Sequence, residues 1–358
     1  MRDLIHEQLA EGHAVGIVCD SNTGGAFEES FFETLEPRLE LGLNRMPMQR
    51  AIGPGDAVAL WRTFRALRRE RPDVLHSHGA KGGAYARIIG SLLNRSGTRL
   101  ARLYCPHGGS VHYDATTRSG RLYFAMERAL ERMTDRLVFV SAYERDAYFS
   151  KVGAPRCPHD LVFNGLAPEE FEPVAAKTGA RDFLYIGMMR DLKGVDLFIE
   201  ALARSPKATA HAVGDGPDLE RYRTLASRLA LEDRLSFHPP MPAREAFALA
   251  RTVVLPSRAE SMPYVALEAL AAMKPLIATR VGGVPEIYAG HENTLVDPDD
   301  LDALAAAMAG ELEGTRVRPS TETMHAVLRE RFSRETMARD VMVAYRRTLE
   351  GRFPKARA

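Results

Sequence analysis

The sequence lacks the features that mark membrane, secreted and disulfide-rich proteins. No apolar run in its 358 residues approaches the roughly 18 residues of a membrane span. Asp3 and Glu7 make the first residues too polar for a signal peptide. Cysteine is scarce, at 3 residues, and Cys19, Cys105 and Cys157 have no metal-type spacing. We therefore expect a cytoplasmic protein with reduced thiols.

A charge excess is also missing. The formal net charge is +1, whereas a dedicated nucleic-acid binder normally carries a strongly basic surface. The sequence shows no internal repeat of fixed period and no low-complexity segment. With 45% hydrophobic and 27% charged residues, the composition is that of a globular chain, and the length suggests two domains. Nucleic acid is therefore not an expected partner.

Apolar stretches of strand length alternate with helical patterns, which is typical of parallel sheets covered by helices on both faces. The predicted strands are 13–19, 74–77, 100–105 and 137–140, then 183–186, 208–213, 235–237, 252–255 and 276–279, with helices at 57–69 and 121–132. We predict an α/β fold with two Rossmann-like, doubly wound domains. The first covers 1–166 and the second 167–335, joined by a linker at 168–179. A helical stretch at 322–349 leads into a tail, 336–358, that returns to the first domain.

The most informative segment runs from Pro256 to Leu270. Val253-Val254-Leu255 before it reads as a buried strand, and Pro263 suits an early helical position because its missing N–H would be unpaired there. Glu260 then lies in the loop and Glu268 in the helix. A helix N-terminus favours a phosphate, and the two carboxylates can accept hydrogen bonds from hydroxyl groups. Taken alone, the two glutamates are more often solvated surface charges.

The segment resembles the E-x7-E signature of the family-4 retaining glycosyltransferases of the GT-B fold. Pro275-Leu276-Ile277-Ala278-Thr279 and Val281-Gly282-Gly283-Val284-Pro285-Glu286 match that family too. The resemblance implies two Rossmann-like domains facing across a cleft. It also implies transfer of a sugar from a nucleotide-diphosphate sugar, of UDP or GDP type, to an acceptor hydroxyl with retention of configuration. No cofactor or divalent metal is expected.

The resemblance also implies roles for residues of this segment. Glu260 would hold sugar hydroxyls, and Glu268 would hold the ribose hydroxyls. The amides around Met262, Tyr264 and Val265 would bind the sugar and phosphates, while Pro263 has no N–H to offer. The donor-binding residues expected here are Ser261, Met262, Pro263, Tyr264, Val265 and Glu268, beside the catalytic candidate Glu260.

Two further strand ends of the second domain carry donor-binding candidates. In Gly187-Met188-Met189-Arg190-Asp191-Leu192-Lys193-Gly194, Gly187 permits close backbone approach, and Arg190 and Lys193 can hold a diphosphate. The segment is similar to the family's G-R-L-x-x-x-K-G, but the family arginine aligns with Met188. Arg190 must then reach the phosphates from a shifted position. Gly214, in the turn Val213-Gly214-Asp215-Gly216-Pro217, is a weaker candidate for the nucleotide pocket.

In the first domain, His107 and Gly108 follow a predicted strand, and His107 matches the family histidine that contacts the donor sugar. His76-Ser77-His78-Gly79-Ala80-Lys81 ends another strand. Its two histidines raise the possibility of metal, which we reject because no acidic or cysteine ligand is nearby in the sequence. His78, Lys81 and Gly108 are expected on the acceptor or phosphate side.

The resemblance fails at the amino terminus. Residues 1–12 match the first helix of the fold, so the usual opening strand and its glycine-rich loop are absent. We expect the sheet to lack a central strand and a version extended upstream to be more stable or more active.

The function expected is that of a metal-independent hexosyltransferase of polysaccharide or glycolipid assembly. A nucleotide-sugar epimerase of the same fold and a non-catalytic nucleotide-sugar-binding protein are the alternatives. The acceptor is a glycan or a lipid-linked glycan. The run Arg62, Arg65, Arg68, Arg69 and Arg71 could contact anionic lipid on the cytoplasmic membrane face, although a solvated helix face is the commoner meaning of such a run.

Overall fold

The computed structural model describes residues 1–22, 25–48, 53–109 and 113–353, with no side-chain description for 25–28. Statements about structure below concern these residues. The chain divides into two compact units. Unit 1 comprises Met1–Val140, Glu144–Val162 and Arg334–Ala358, and unit 2 comprises Ser141–Tyr143 and Phe163–Ser333. The carboxyl-terminal segment thus belongs to the unit that contains the amino terminus.

The elements up to residue 162 alternate as the sequence predicts. The helices are α1 (Arg2–Ala10), α2 (Gly25–Leu35), α3 (Gly55–Glu70), α4 (Ala80–Arg95), α5 (Arg118–Glu131) and α6 (Ala142–Lys151). The strands are β1 (Ile17–Asp20), β2 (Leu43–Met46), β3 (Val74–His78), β4 (Ala101–Cys105), β5 (Arg136–Phe139) and β6 (His159–Leu161). The predicted helices at 57–69 and 121–132 are confirmed as α3 and α5.

The strands of unit 1 form two separate parallel sheets. β1 pairs with β2, and the other sheet has the order β3-β4-β5-β6. The predicted strand at 13–19 is only partly right, because its ladder begins at Ile17 and extends to Asp20. No ladder joins β1 to β3 within the described ranges. The described strands of unit 1 therefore do not form one continuous sheet.

Unit 2 contains one five-stranded parallel sheet. Its strands are β7 (Arg181–Ile186), β8 (Ala210–Val213), β9 (Leu235–His238), β10 (Ala250–Leu255) and β11 (Leu276–Ala278). Its helices are α7 (Val195–Ala203), α8 (Leu219–Arg228), α9 (Ala243–Phe247), α10 (Tyr264–Ala271), α11 (Val284–Ile287), α12 (Leu301–Glu313) and α13 (Thr321–Arg331). The sheet order is β11-β10-β7-β8-β9. From β7 the chain continues to β8 and β9 on one side of β7, and β10 and β11 then follow on the other side. The strand order therefore reverses between β7 and β10.

Apolar residues on both faces explain why unit 2 folds around this sheet. Phe183 and Val254, on the two central strands, are fully or almost fully buried, as is Phe198 on α7. Helices on both faces remove strand side chains from water, and roughly 25 cal/mol per Å² of buried apolar surface stabilises the unit. A rigid sheet of this kind fixes the positions of its strand-end loops.

The predicted linker and tail contain more structure than a flexible connector and one helix. Pro168–Phe171 forms a 3-10 turn inside the predicted linker. The helical stretch at 322–349 is two helices, α13 and α14 (Arg334–Arg352), and Ser333 between them forms a parallel bridge with Leu166. In unit 1, α14 packs against α1 and β4. No helix in the described part of the chain has the length and apolar composition of a membrane span.

Candidate active site

The candidate donor site of unit 2 lies at the carboxyl ends of β7 and β10. In open parallel sheets, ligands bind where the strand order reverses, since the loops there diverge and leave a crevice. The loop after β7 carries Gly187 and Lys193, and the loop after β10 carries Glu260. Phe183 lies opposite Thr252 in the ladder that joins the two strands. Adjacent strands thus bring together two segments that are far apart in the sequence.

An ion pair joins the two loops. Lys193 Nζ donates to Glu260 Oε1 at 2.7 Å, and Ser257 Oγ donates to the same oxygen at 2.7 Å. The Glu260 side chain is 8% exposed and that of Lys193 is 29% exposed. Burial of the carboxylate makes its orientation depend on these two donors. The sequence predicts both residues as site candidates, but it does not predict their direct pairing.

Arg258 also connects the two loops through hydrogen bonds. Its guanidinium donates to both carboxylate oxygens of Asp196 at 2.9 Å, and its Nε donates to Asp299 Oδ1 at 2.6 Å. The hydrogen bonds to Asp196 raise the pKa of Arg258 above its ordinary value. The Arg258 backbone N–H also donates to Leu192 O at 2.9 Å, beside Lys193. Arg258 therefore positions the turn that carries the predicted phosphate-binding lysine.

Glycines let the strand-end loops approach each other closely. A Cβ atom on Gly214 would lie 1.9 Å from the carbonyl oxygen of Gly187. Gly282, after β11, has φ +58°, and a Cβ there would lie 1.8 Å from the carbonyl oxygen of Glu260. Neither position accommodates a side chain without backbone movement. The predicted residues Gly187 and Gly214 thus lie together, and Gly282 supports the Glu260 loop.

The N-terminus of α10 follows the Glu260 loop. Pro263 is the residue before the helix, with extended φ and ψ, so its predicted early helical position is wrong by one residue. Tyr264 and Val265 form the first turn, and the N-terminus of a helix carries a partial positive charge. The carbonyl of Met262, the residue before Pro263, accepts from the buried Asn164 Nδ2 at 3.1 Å.

Two further predicted donor-binding side chains, Ser261 and Glu268, lie in this segment. Ser261 Oγ is buried and has no hydrogen-bond partner in the described structure. An unpaired buried hydroxyl is costly unless a ligand or water completes it. Glu268 lies half-buried on α10, and Ala269, Leu270 and Ala271 after it are buried.

Arg190 is an exposed cation beside this site. Its guanidinium makes no ion pair with any residue that the structure describes, unlike Lys193. Met188, at the position of the family arginine, is 43% exposed, while the neighbouring Met189 is fully buried. The shifted arginine is therefore free to meet an anion. Whether it contacts a phosphate stays a prediction.

In unit 1, His107, His78 and Gly108 lie together at the ends of β3 and β4. His78 Nδ1 and His107 Nε2 form a hydrogen bond of 2.8 Å, and the rings stack with centroids 5.0 Å apart. His107 has φ +49°. The residue is exposed at the surface, although desolvation of its ring lowers its pKa to about 4. Both His107 and His78, whose pKa burial also lowers, are uncharged at neutral pH.

Glu144 holds the turn that carries His107 and was not predicted from the sequence. This fully buried side chain accepts a hydrogen bond from the N–H of Gly108 and another, of 2.9 Å, from that of Val140. Burial raises the pKa of Glu144 to about 7. A buried acid that accepts two backbone N–H groups fixes their positions. Glu144 is therefore a positioning residue for the His107 turn.

Lys81 is engaged elsewhere in unit 1. Its Nζ lies 2.6 Å from Asp56 Oδ1, and Tyr85 also donates to that carboxylate oxygen. The bonds from Lys81 and Tyr85 lower the pKa of Asp56 to about 2. The lysine thus joins the start of α4 to α3. A role for Lys81 in acceptor or phosphate contact stays a prediction.

Comparison with known proteins gives the family. A profile described as "Glycosyl transferase 4-like domain" matches residues 1–165, and one described as "Glycosyl transferases group 1" matches residues 180–313. The chain belongs to the group 1 glycosyltransferases of family 4. The resemblance seen in its motifs is therefore confirmed.

The fold agrees with that assignment. This family-4 glycosyltransferase superposes on sucrose-phosphate synthase from Thermosynechococcus elongatus with a TM-score of 0.77 at 21% identity, covering 97% of this chain and 93% of the other. The predicted α/β fold of GT-B type, with two Rossmann-like domains, is confirmed.

Curated relatives match over shorter stretches. The family-4 glycosyltransferase is 29% identical over 257 residues to the GDP-mannose-dependent alpha-(1-6)-phosphatidylinositol monomannoside mannosyltransferase of Mycolicibacterium smegmatis, covering 64% of this chain and 65% of the relative. It is 30% identical over 182 residues to the D-inositol 3-phosphate glycosyltransferase of Segniliparus rotundus, covering 47% of this chain and 40% of the relative. The chain thus spans 40% to 65% of the length of these relatives.

Proposed function

We propose that the protein transfers a sugar from a nucleotide-diphosphate sugar to an acceptor hydroxyl, with retention of configuration and without a metal ion. The observation that carries the proposal is the Lys193–Glu260 pair at the reversal of strand order. One cation and one carboxylate there suit a donor that has both a diphosphate and hydroxyl groups. Family membership supports the reaction class.

The residues have distinct proposed roles. Lys193 and the exposed Arg190 stabilise the charge that develops on the departing diphosphate, which is the main catalytic contribution expected. Glu260 holds sugar hydroxyls, and Glu268 holds the ribose. The first N–H groups of α10 add partial positive charge near the phosphates. His107 contacts the donor sugar, and a donor phosphate oxygen takes the proton of the acceptor hydroxyl.

The donor is proposed to be of UDP or GDP type, with a glycan or lipid-linked glycan as acceptor in polysaccharide or glycolipid assembly. The name of the M. smegmatis relative, a GDP-mannose-dependent enzyme with a phosphatidylinositol-based acceptor, supports GDP-mannose as the first donor to test.

Mass-spectrometric turnover of UDP- and GDP-sugars, with and without lipid-linked and simple acceptors, tests the proposal. We expect acceptor-dependent nucleotide release that survives EDTA and is lost in Glu260→Gln. Glu311→Gln is the matched control, since Glu311 is a comparably shielded glutamate, 11% exposed, that pairs with Arg316 at 3.2 Å on α12. Isomerised donor without acceptor would instead indicate an epimerase, and binding without turnover a non-catalytic protein.

We also propose that α3 contacts an anionic membrane surface. Trp61 and Val58 are 56% and 52% exposed, and the Arg65 guanidinium lies 5.0 Å from the Trp61 ring centroid. Arg62 and Arg68 are exposed on the same helix. An exposed tryptophan with neighbouring arginines suits the boundary between lipid headgroups and acyl chains.

Flotation with phosphatidylglycerol-containing vesicles tests this contact. The wild-type protein should float at low salt, and a Trp61→Ala/Arg65→Glu variant should float several-fold less. Arg228→Glu, which changes the same charge at an exposed arginine of α8, should float like the wild type. A wild-type protein that stays unbound even at low salt would refute the contact.

A further inference from the structure

Three metal-ligating side chains converge in unit 1. His78 and Cys105 are opposite each other at the last pair of the β3–β4 ladder, so their side chains leave the sheet on one face. His107 lies two residues beyond Cys105, on the turn with φ +49°. One ligand atom from each residue, a nitrogen or the sulfur, lies within 4.8 Å of the other two. The sequence predicts no metal site here because no cysteine ligand is nearby along the chain, but the strand register places Cys105 beside His78.

The chemistry of the three groups suits a borderline-soft cation. His78 and His107 are uncharged at neutral pH because burial lowers their pKa values, so each has a nitrogen lone pair to donate. Cys105 is a buried free thiol whose pKa burial raises, and it becomes a ligand by losing its proton to solvent as the metal–sulfur bond forms. Two imidazoles and one thiolate form a ligand set that Zn²⁺ favours.

The geometry requires a small adjustment. The two imidazole nitrogens are 2.8 Å apart because they share a hydrogen bond. Zn–N bonds of about 2.0–2.1 Å in a tetrahedral site separate two nitrogens by about 3.3 Å. The rings must therefore move apart by roughly 0.5 Å, and the proton between them must shift to the outer nitrogen of its ring. His107 can move in this way because it is exposed.

We propose that His78, Cys105 and His107 form a Zn²⁺-binding site and that bound zinc inhibits sugar transfer by occupying His107. The inhibitory part rests on the proposed function, whereas zinc binding itself does not. Turnover that needs no metal and is blocked by zinc would make this site a point of control rather than a catalytic metal centre.

Metal titration of the full chain, free of any polyhistidine tag, tests binding without an activity readout. We expect one equivalent of Zn²⁺ in calorimetry and a thiolate-to-metal absorption band with Co²⁺. Cys105→Ala should abolish the band and weaken zinc binding at least tenfold. Cys157→Ala, which removes another free thiol of unit 1, should change neither. Zinc binding of wild-type strength in Cys105→Ala, or no binding by the wild type, would overturn the site.

Inhibition is tested separately with the turnover assay. Zinc should inhibit the wild type, EDTA should restore its activity, and Cys105→Ala should keep basal turnover with at least tenfold lower zinc sensitivity. Stoichiometric binding without inhibition would refute the inhibitory part alone. An inactive wild type would count against the proposed function and leave the binding result intact. If Cys105→Ala does not fold, His78→Ala tests the same ligand set. Its affinity for Co²⁺, measured by titration of the band, should fall at least tenfold, and wild-type affinity would overturn the site.

Discussion

Replacing Gly282 with alanine tests whether the Glu260 loop must stay where the structure places it. Gly282 has φ +58°, and a Cβ there would lie 1.8 Å from the Glu260 carbonyl oxygen and 2.5 Å from its carbonyl carbon. The next residue, Gly283, donates its N–H to Ser261 O at 2.7 Å. The loop after β11 therefore supports the loop of the proposed donor site through backbone contacts.

The size of the effect follows from two contributions. A left-handed conformation costs an alanine about 1–2 kcal/mol, and relieving an overlap with backbone adds about 1–3 kcal/mol. Gly282→Ala should thus lower the free energy of unfolding by about 2–5 kcal/mol. Movement of the Glu260 loop separates its carboxylate from Lys193. A displacement of about 1 Å in a catalytic group can cost about a hundredfold in turnover.

Gly314→Ala is the control for the backbone conformation alone. Gly314 ends α12 with φ +70° and would have nothing within 4 Å of an added Cβ. This variant should lose only about 1–2 kcal/mol and keep donor affinity and turnover. Chemical denaturation and donor titration of both variants measure the two effects. If Gly282→Ala matched Gly314→Ala in stability, donor affinity and turnover, the proposed support of Glu260 would be wrong.

Three further predictions concern Arg258 at the proposed donor site and, in unit 1, His107 and the buried Arg87–Glu127 pair. Arg258→Ala should raise the donor KM about tenfold, or ~1.4 kcal/mol, because the Lys193 turn loses its support. Arg251→Ala, which breaks a surface pair with Asp182, should leave the donor KM unchanged. Equal donor KM values for the two variants would exclude a positioning role for Arg258. For His107, burial lowers the folded-state pKa to about 4 from 6.5, so its stabilising contribution is present above pH 6.5 and is lost as the pH falls toward 4. His107→Asn should therefore lose less Tm between pH 7 and pH 5 than the wild type, and an equal loss would contradict the pKa. Glu127→Ala leaves the fully buried Arg87 without the carboxylate that lies 2.8 Å from it. Chemical denaturation should show a free energy of unfolding lower by about 3–5 kcal/mol, and a loss below ~1 kcal/mol would contradict the prediction.

The sheet of unit 2 was predictable because its strands are short apolar runs. Val253-Val254-Leu255 is buried on both faces, and such a run has few alternatives to a central parallel strand. Each predicted strand of unit 2 shares one end with an observed strand and differs by one or two residues at the other end. The 13–19 prediction failed at its start because His13 and Ala14 precede the ladder and are exposed.

The contacts within the sites were not predictable from spacing. Glu260 and Lys193 are 67 residues apart, and their pairing depends on the order of β7 and β10. Cys105 is identified as a neighbour of His78 only by the register of β3 and β4. Glu144 has no recognisable motif, and a first-turn glutamate is usually a solvated charge that favours the helix dipole. Residue types at strand ends indicate the chemistry, and the pairing of strands decides which groups meet.

The Lys193–Glu260 pair affects which ligands the proposed donor site can bind. Each group neutralises the other, so neither a bare cation nor a bare carboxylate is left half-buried at the carboxyl edge of the sheet. Under the proposed function, a nucleotide sugar would replace both partners, because its phosphate would pair with Lys193 and its hydroxyl groups would donate to Glu260. A free sulfate ion would supply only the first and would leave Glu260 with Ser257 as its remaining donor. The pair thus favours ligands that have an anion and hydroxyl donors on one molecule, which is a basis for specificity that neither residue would provide alone.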